Sequence, residues 1–246
     1  MEHSFIYQVP AARVIFGAGS LQRLPEEIDA LGAKAVLVLS TPQQEALANE
    51  VALILGGRAV GVYAKAVMHV PVESAYEAQR EASRLGADCA VAVGGGSTTG
   101  LGKAIALESG LPIVAIPTTY AGSEMTPIYG LTEAGVKKTG RDVRVLPKTV
   151  IYDPSLTLEL PLEMSITSAL NAIAHAAEGL YAQDANPIMN LMAAEGISAC
   201  AKAISSLSKN PVDLDARSSA LYGAWLCGTV LGSVGMGLHH KLCHTL

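Results

Sequence analysis

AVAVGGGSTTGLGKAIAL, residues 90–107, runs from an apolar stretch into a helical pattern through three glycines and three hydroxyl residues. Glycines let a backbone approach a pyrophosphate, and the free N–H groups at a helix start, aided by the helix dipole, hold it. A plain strand-to-helix turn rarely needs three consecutive glycines followed by hydroxyls. Gly94, Gly95, Gly96, Ser97 and Thr98 are therefore the expected phosphate cradle.

Outward from this loop, short β-branched runs alternate with amphipathic helical segments up to about residue 150, the pattern of an α/β domain. KAVLVLS (34–40), AVGVY (59–63), DCAVAVGGG (88–96) and LPIVAIPTT (111–119) read as strands, nearly continuously apolar as parallel strands covered on both faces are. PVESAYEAQREASRLGA (71–87) and LGKAIALES (101–109) read as helices, the first capped by Gly86. Past VIYDPSLTLELP (150–161) the composition shifts to alanine, leucine and methionine at helical spacing. The expected fold is a Rossmann-like α/β nucleotide-binding domain with a parallel sheet over 1–155, then an all-α domain over 156–246. GLHHKLCHTL runs into Leu246 as a helical pattern with no capping glycine or polar tail, so the helical domain is expected to be truncated at its C-terminus.

A chain of 246 residues, half of them hydrophobic, can bury a sizeable core. With 16% charged residues and a formal net charge of -5, nothing invites nucleic acid or an acidic membrane surface. MEHSFIYQVPAAR has no basic segment followed by an apolar one, so a cytoplasmic location is expected. Cys89, Cys200, Cys227 and Cys243 form no C-x-x-C and fit reduced, structural thiols. ALYGAWLCGTVLGSVGMGL (220–238) is uncharged and long enough to span a bilayer, but its five glycines and lack of basic flanks suit a buried helix in close contact with its neighbours.

Three other segments bear on nucleotide binding. VIFGAGSLQRL (14–24) matches G-x-G-x-x-G only in part and reads as a turn with Ser20 as a helix N-cap. VLVLS ends in Ser40, Thr41 and Pro42, where a nucleotide-binding sheet often presents a carboxylate to the adenosine ribose. Without that carboxylate, Ser40 leaves both NADH and NADPH admissible. IPTTYAGSEMTPIYG (116–130) supplies Thr118, Thr119 and Ser123 as donors at a neighbouring strand end.

In the helical part, SALNAIAHAAEGLYAQDANP (168–187) sets Asn171, His175 and Glu178 at i, i+4 and i+7 on an otherwise alanine-rich helix. A carboxylate at Asn171 would make a metal pair with His175, whereas a neutral amide is a poor ligand for a hard cation. Near the end, HHKLCH sets His240 and His244 at i, i+4 beside Lys241.

GGGSTTGLGK, PTTYAGSE, VIYDP, NAIAHAAE and HHKLCH, in this order and spacing, resemble the iron-containing alcohol dehydrogenase superfamily and, within it, the maleylacetate reductases. Metal-dependent members usually read G-G-G-S-x-x-D-x-A-K and D-x-x-x-H, where this chain has Gly100 and Asn171. His175 and His240 match the second and third metal ligands, leaving a vestigial set at Asn171, His175 and His240, and His244 matches a nearby active-site histidine. The resemblance implies reduction of the C=C bond of maleylacetate, a small dicarboxylate, to 3-oxoadipate by NADH or NADPH without metal. It further implies His244 or His175 as proton donor, His240 and Lys241 pairing with substrate carboxylates, Lys148 on the cofactor ribose, and a homodimer. The competing expectations are an iron- or zinc-dependent alcohol dehydrogenase, or a dinucleotide-binding chain without turnover.

Overall fold

A computed structural model describes residues 12–235. They divide into two compact units. One is Ala12–Thr118 with Pro127–Asp153, and the other is Thr119–Thr126 with the chain from Pro154 onward.

The first unit runs β1 (Arg13–Phe16), α1 (Leu24–Ala30), β2 (Val36–Leu39), α2 (Glu45–Leu55), β3 (Ala59–Tyr63), α3 (Val72–Arg84), β4 (Cys89–Gly94), α4 (Gly96–Ser109), β5 (Ile113–Pro117), β6 (Ile128–Glu133), β7 (Val136–Arg141) and β8 (Thr149–Tyr152). Six strands form one sheet in the order β1-β8-β5-β4-β2-β3, and every pairing in it is parallel. The inner strands β2, β4, β5 and β8 are buried at every residue, while the edge strands β1 and β3 are only partly covered. Helices on both faces of a parallel sheet require this, and it is why the inner strands carry unbroken apolar runs.

The sequence pattern placed a helix from residue 101, but α4 begins at Gly96. Glycine and threonine are weak helix formers, so propensity hides this first turn. Backbone bonding creates it nonetheless: the N–H groups of Thr98 and Thr99 both donate to the Gly95 carbonyl at 3.1 Å. The hairpin β6–β7 also escaped the sequence reading. Its two-residue turn holds Ala134 at φ 50 and Gly135 at φ 78, and an alanine there gives no turn signal.

The second unit contains α5 (Leu162–Leu180), α6 (Pro187–Leu207) and α7 (Leu214–Ser233). Asn186 caps α6 by accepting from the Met189 N–H, and Asp213 caps α7 by accepting from Asp215 and Ala216. Most of the glycine-rich apolar segment at 220–238 lies in α7, as a buried helix. A Cβ on Gly196 of α6 would lie 2.8 Å from Cys227 Sγ, and one on Gly223 of α7 would collide with Cys200 Sγ. Each thiol thus fills the gap over the other helix's glycine. Gly122 and Gly228 approach in the same way, a Cβ on Gly122 falling 2.9 Å from Gly228 Cα. No helix among the described residues is long and apolar enough to cross a membrane.

Arg217 lies at the centre of this unit, 1% exposed. Its guanidinium donates to Tyr120 Oη (3.1 Å), Ser165 Oγ (2.6 Å), the Leu160 carbonyl (2.9 Å) and, twice, the Pro211 carbonyl (3.0 and 2.7 Å). Those bonds hold the start of α7 to the start of α5 and to the Tyr120 turn. Cys89, Cys200 and Cys227 are buried free thiols, and Cys243 lies outside the described residues.

Candidate active site

Because all six strands of the sheet are parallel, their C-terminal ends share one edge, where α/β sheets take ligands. Ser40, Gly94 and Thr118 stand at that edge, at the ends of β2, β4 and β5. Backbone bonds fix them: Ser40 N–H donates to the Tyr63 carbonyl at the end of β3 at 3.1 Å, and Thr118 N–H donates to the Gly94 carbonyl at 3.0 Å. Burial raises the Tyr63 phenol above its ordinary value, with Glu77 adding to the shift and Lys65 opposing it.

The helix α4 opens on this edge. Gly95 is its N-cap and supplies no side-chain cap, and no acidic residue neutralises the first turn. Gly96 is exposed and a Cβ on it would meet nothing within 4 Å, so the start of the helix is open at this position. Thr98 Oγ1 and Ser40 Oγ are buried here with no hydrogen-bond partner in the protein, and leaving such hydroxyls unpaired costs about 1–3 kcal/mol each. An uncapped helix start beside two orphaned hydroxyls suits an anionic ligand.

The glycines divide the work differently from the sequence reading. Gly94 sits at φ 149, and a Cβ there would lie 2.5 Å from Thr98 Oγ1 and 2.7 Å from Gln44 Oε1. Its bareness makes room for the protein's own side chains, and Gly96 is the position left open. Gln44 had no sequence signal. Its Nε2 donates to Thr118 Oγ1 at 2.8 Å, which brings it to the ends of β4 and β5 through tertiary contact alone.

Two expectations are corrected. Ser20 does not cap a helix: Gly19, at φ 77, takes that position, and Ser20 Oγ donates to the Tyr152 carbonyl at 3.1 Å. The Asp153 carboxylate, 132 or more residues distant in sequence, accepts the N–H groups of Gly19 and Leu21 at 3.1 Å each. Lys148 is exposed at the opposite edge of the sheet, its carbonyl accepting from Arg13 N–H and its N–H donating to Ile113, where β1 and β5 begin. The length of the strands separates it from the cradle, so the fold does not support a ribose contact.

Thr119 and Ser123 belong to the helical unit, with Ser123 opening a short 3-10 turn, Ser123–Met125. The Asn171 stripe lies on α5 but is not uniform: Asn171 is exposed, while His175 is 8% and Glu178 1% exposed. His240, Lys241 and His244 lie outside the described residues. Among the described residues no three His, Cys, Asp or Glu side chains gather as a metal site would need.

Comparison with known proteins gives this geometry a family. Residues 11–154 match the model of the iron-containing alcohol dehydrogenases, and residues 165–246 match that of the Fe-containing alcohol dehydrogenase family, C-terminal. The chain is 70% identical over 244 residues to a maleylacetate reductase of Burkholderia cepacia, covering 99% of this chain and 69% of that protein. It is 60% identical over 243 residues to one from Pseudomonas sp. (strain P51), with coverage of 99% and 69%. The crystal structure of maleylacetate reductase from Agrobacterium tumefaciens superposes with a TM-score of 0.97 at 56% identity, over 100% of this chain and 70% of that one. The chain therefore belongs to the iron-containing alcohol dehydrogenase family of oxidoreductases, in the branch whose named members are maleylacetate reductases.

Proposed function

We propose that the protein reduces the C=C bond of maleylacetate to 3-oxoadipate with NADH or NADPH and without a metal ion. The observation that carries this reading is the open, uncapped first turn of α4 beside the orphaned hydroxyls of Thr98 and Ser40, in a chain 70% identical to a maleylacetate reductase. The N–H groups of Gly96 and Ser97, with Thr98 and Thr118, hold the cofactor's diphosphate. Ser40 at the end of β2 offers a hydroxyl instead of a carboxylate, so a 2′-phosphate meets no repulsion there and both nucleotides are accepted.

When bound, the reduced nicotinamide supplies a hydride to one alkene carbon. The protein supplies the proton for the other, from His175 or His244, and orients the substrate through His240 and Lys241 on its carboxylates. A C=C bond conjugated to a carbonyl needs a positioned acid more than a Lewis acid, which frees the site from metal. The donors on α5 agree: Asn171 presents a neutral amide where metal-dependent relatives carry a carboxylate, so the set is one anionic ligand short and no step runs through a metal. The substrate is a small dicarboxylate, and the working form is a homodimer.

The test is loss of reduced-nicotinamide absorbance when maleylacetate is added to exhaustively chelated, full-length protein. Turnover without metal is expected. A protein inert until iron or zinc is restored, and then oxidising alcohols, would replace this reading with the metal-dependent one, which His175 at i+4 from Asn171 favours. Asn171→Asp separates the two further: in a former metal pocket it raises affinity for a divalent ion, read by calorimetry.

A further inference from the structure

Gln44 ends the short turn Pro42–Gln44 that follows Ser40, and its side chain reaches across the sheet edge. Its Nε2 donates to Thr118 Oγ1 at 2.8 Å, and its Oε1 lies 2.7 Å from where a Cβ on Gly94 would stand. The side chain is half-buried, at the strand ends beside the start of α4.

Hydrogen-bond accounting shows what remains unused. A primary amide has two N–H donors, and Thr118 takes one of them. Thr118 Oγ1 is an acceptor in that bond, so its own hydrogen is still available, while the Thr118 backbone N–H is committed to the Gly94 carbonyl at 3.0 Å. Two donors, one amide N–H and one hydroxyl, thus accompany the uncapped turn of α4 and the unpartnered, buried Thr98 Oγ1.

We propose that Gln44 is a nucleotide-binding residue: its second amide N–H donates to an oxygen of the cofactor diphosphate, and its first holds the Thr118 hydroxyl as a donor to the same ligand. This rests on the reading that α4 binds a dinucleotide. The side-chain type matters because a carboxylate of the same shape accepts from the Thr118 O–H equally well. Packing would survive such an exchange, but the donor polarity would reverse and a negative charge would stand beside the diphosphate.

The experiment titrates full-length wild type, Gln44→Glu and Gln44→Ala with NADH and with ADP, following nucleotide fluorescence or heat, and records each melting temperature. Gln44→Ala is expected to weaken both ligands about tenfold, as for loss of one hydrogen bond to a charged group. Gln44→Glu is expected to weaken them further, with an unchanged melting temperature. A Gln44→Glu protein that melts like wild type and binds both ligands within about twofold of it overturns the assignment, because a merely structural glutamine predicts that result. Should Gln44→Glu fail to fold, the Gln44→Ala titration decides by the same margin. If wild type binds neither NADH nor ADP, the dinucleotide reading of α4 falls, and Gln44 with it.

Discussion

Val70 Cγ2 stands 2.7 Å from the point that a Cβ on Gly100 would occupy. Val70 cannot easily withdraw: it is buried, held at φ 44, and tied to β6 by the Thr132 N–H on its carbonyl at 3.1 Å. A β-branched residue in that conformation is strained, and the surrounding contacts maintain it. Gly100 and Val70 are thus matched across the first two turns of α4. Gly100→Ala should therefore cost about 1–3 kcal/mol, the usual range for overpacking. Urea denaturation measures it, and Val70→Ala in the same chain should recover most of the loss. A neutral Gly100→Ala would show the loop to be freer than its bonding suggests.

Thr98 Oγ1 is buried without a partner, so Thr98→Val should separate stability from binding. Removing an unsatisfied buried hydroxyl is expected to leave stability unchanged or raise it by about 1 kcal/mol. The same change should weaken NADH binding about tenfold if the hydroxyl meets a charged diphosphate. Equal affinity for NADH in the two proteins would remove Thr98 from the cradle.

Arg217 donates five hydrogen bonds within the helical unit, and Arg217→Ala would leave Tyr120 Oη, Ser165 Oγ and the carbonyls of Leu160 and Pro211 without it. The expected loss is about 3 kcal/mol or more, from the cavity and the stranded acceptors together. Lysine should not rescue, because one ammonium group cannot reproduce the planar fork. Chemical denaturation of both variants checks this, and full rescue by Arg217→Lys would contradict the geometry.

Burial at the start of β4 pushes the Cys89 thiol up to about 12, with Asp88 adding to the shift. Raised above its unfolded value, this group gives stability that is fully present below about pH 8.5 and lost as pH climbs toward its folded value. The urea midpoint should fall over that interval, and less so in Cys89→Ala. At pH 8, alkylation of Cys89 should wait on unfolding, which timed mass spectrometry can follow.

The parallel sheet was legible because its inner strands are buried on both faces and carry unbroken apolar runs, as in VLVL of β2 and CAVAVG of β4. The hairpin β6–β7 was not legible: its strands are mostly exposed or half-buried, and Ala134 takes a turn conformation usually signalled by glycine or asparagine. Ser20 looked like a helix cap because local spacing cannot reveal Asp153, which arrives from the far end of the unit to bind the same turn.

The sequence alone determined the strands β2, β3, β4 and β5, the glycine and hydroxyl loop after β4, and the change from strands to helices past residue 161. Each of these is written in residue type and short-range period, which act within one strand or one helical turn. Tertiary structure alone decided that Gly94 makes room for Gln44 and Thr98 while Gly96 stays open, that Lys148 sits at the wrong edge for a nucleotide, and that Arg217 binds two helices and a turn together. Those relations depend on which strand ends share an edge and which side chains meet across tens of residues. Chain packing fixes both, and no local pattern encodes them.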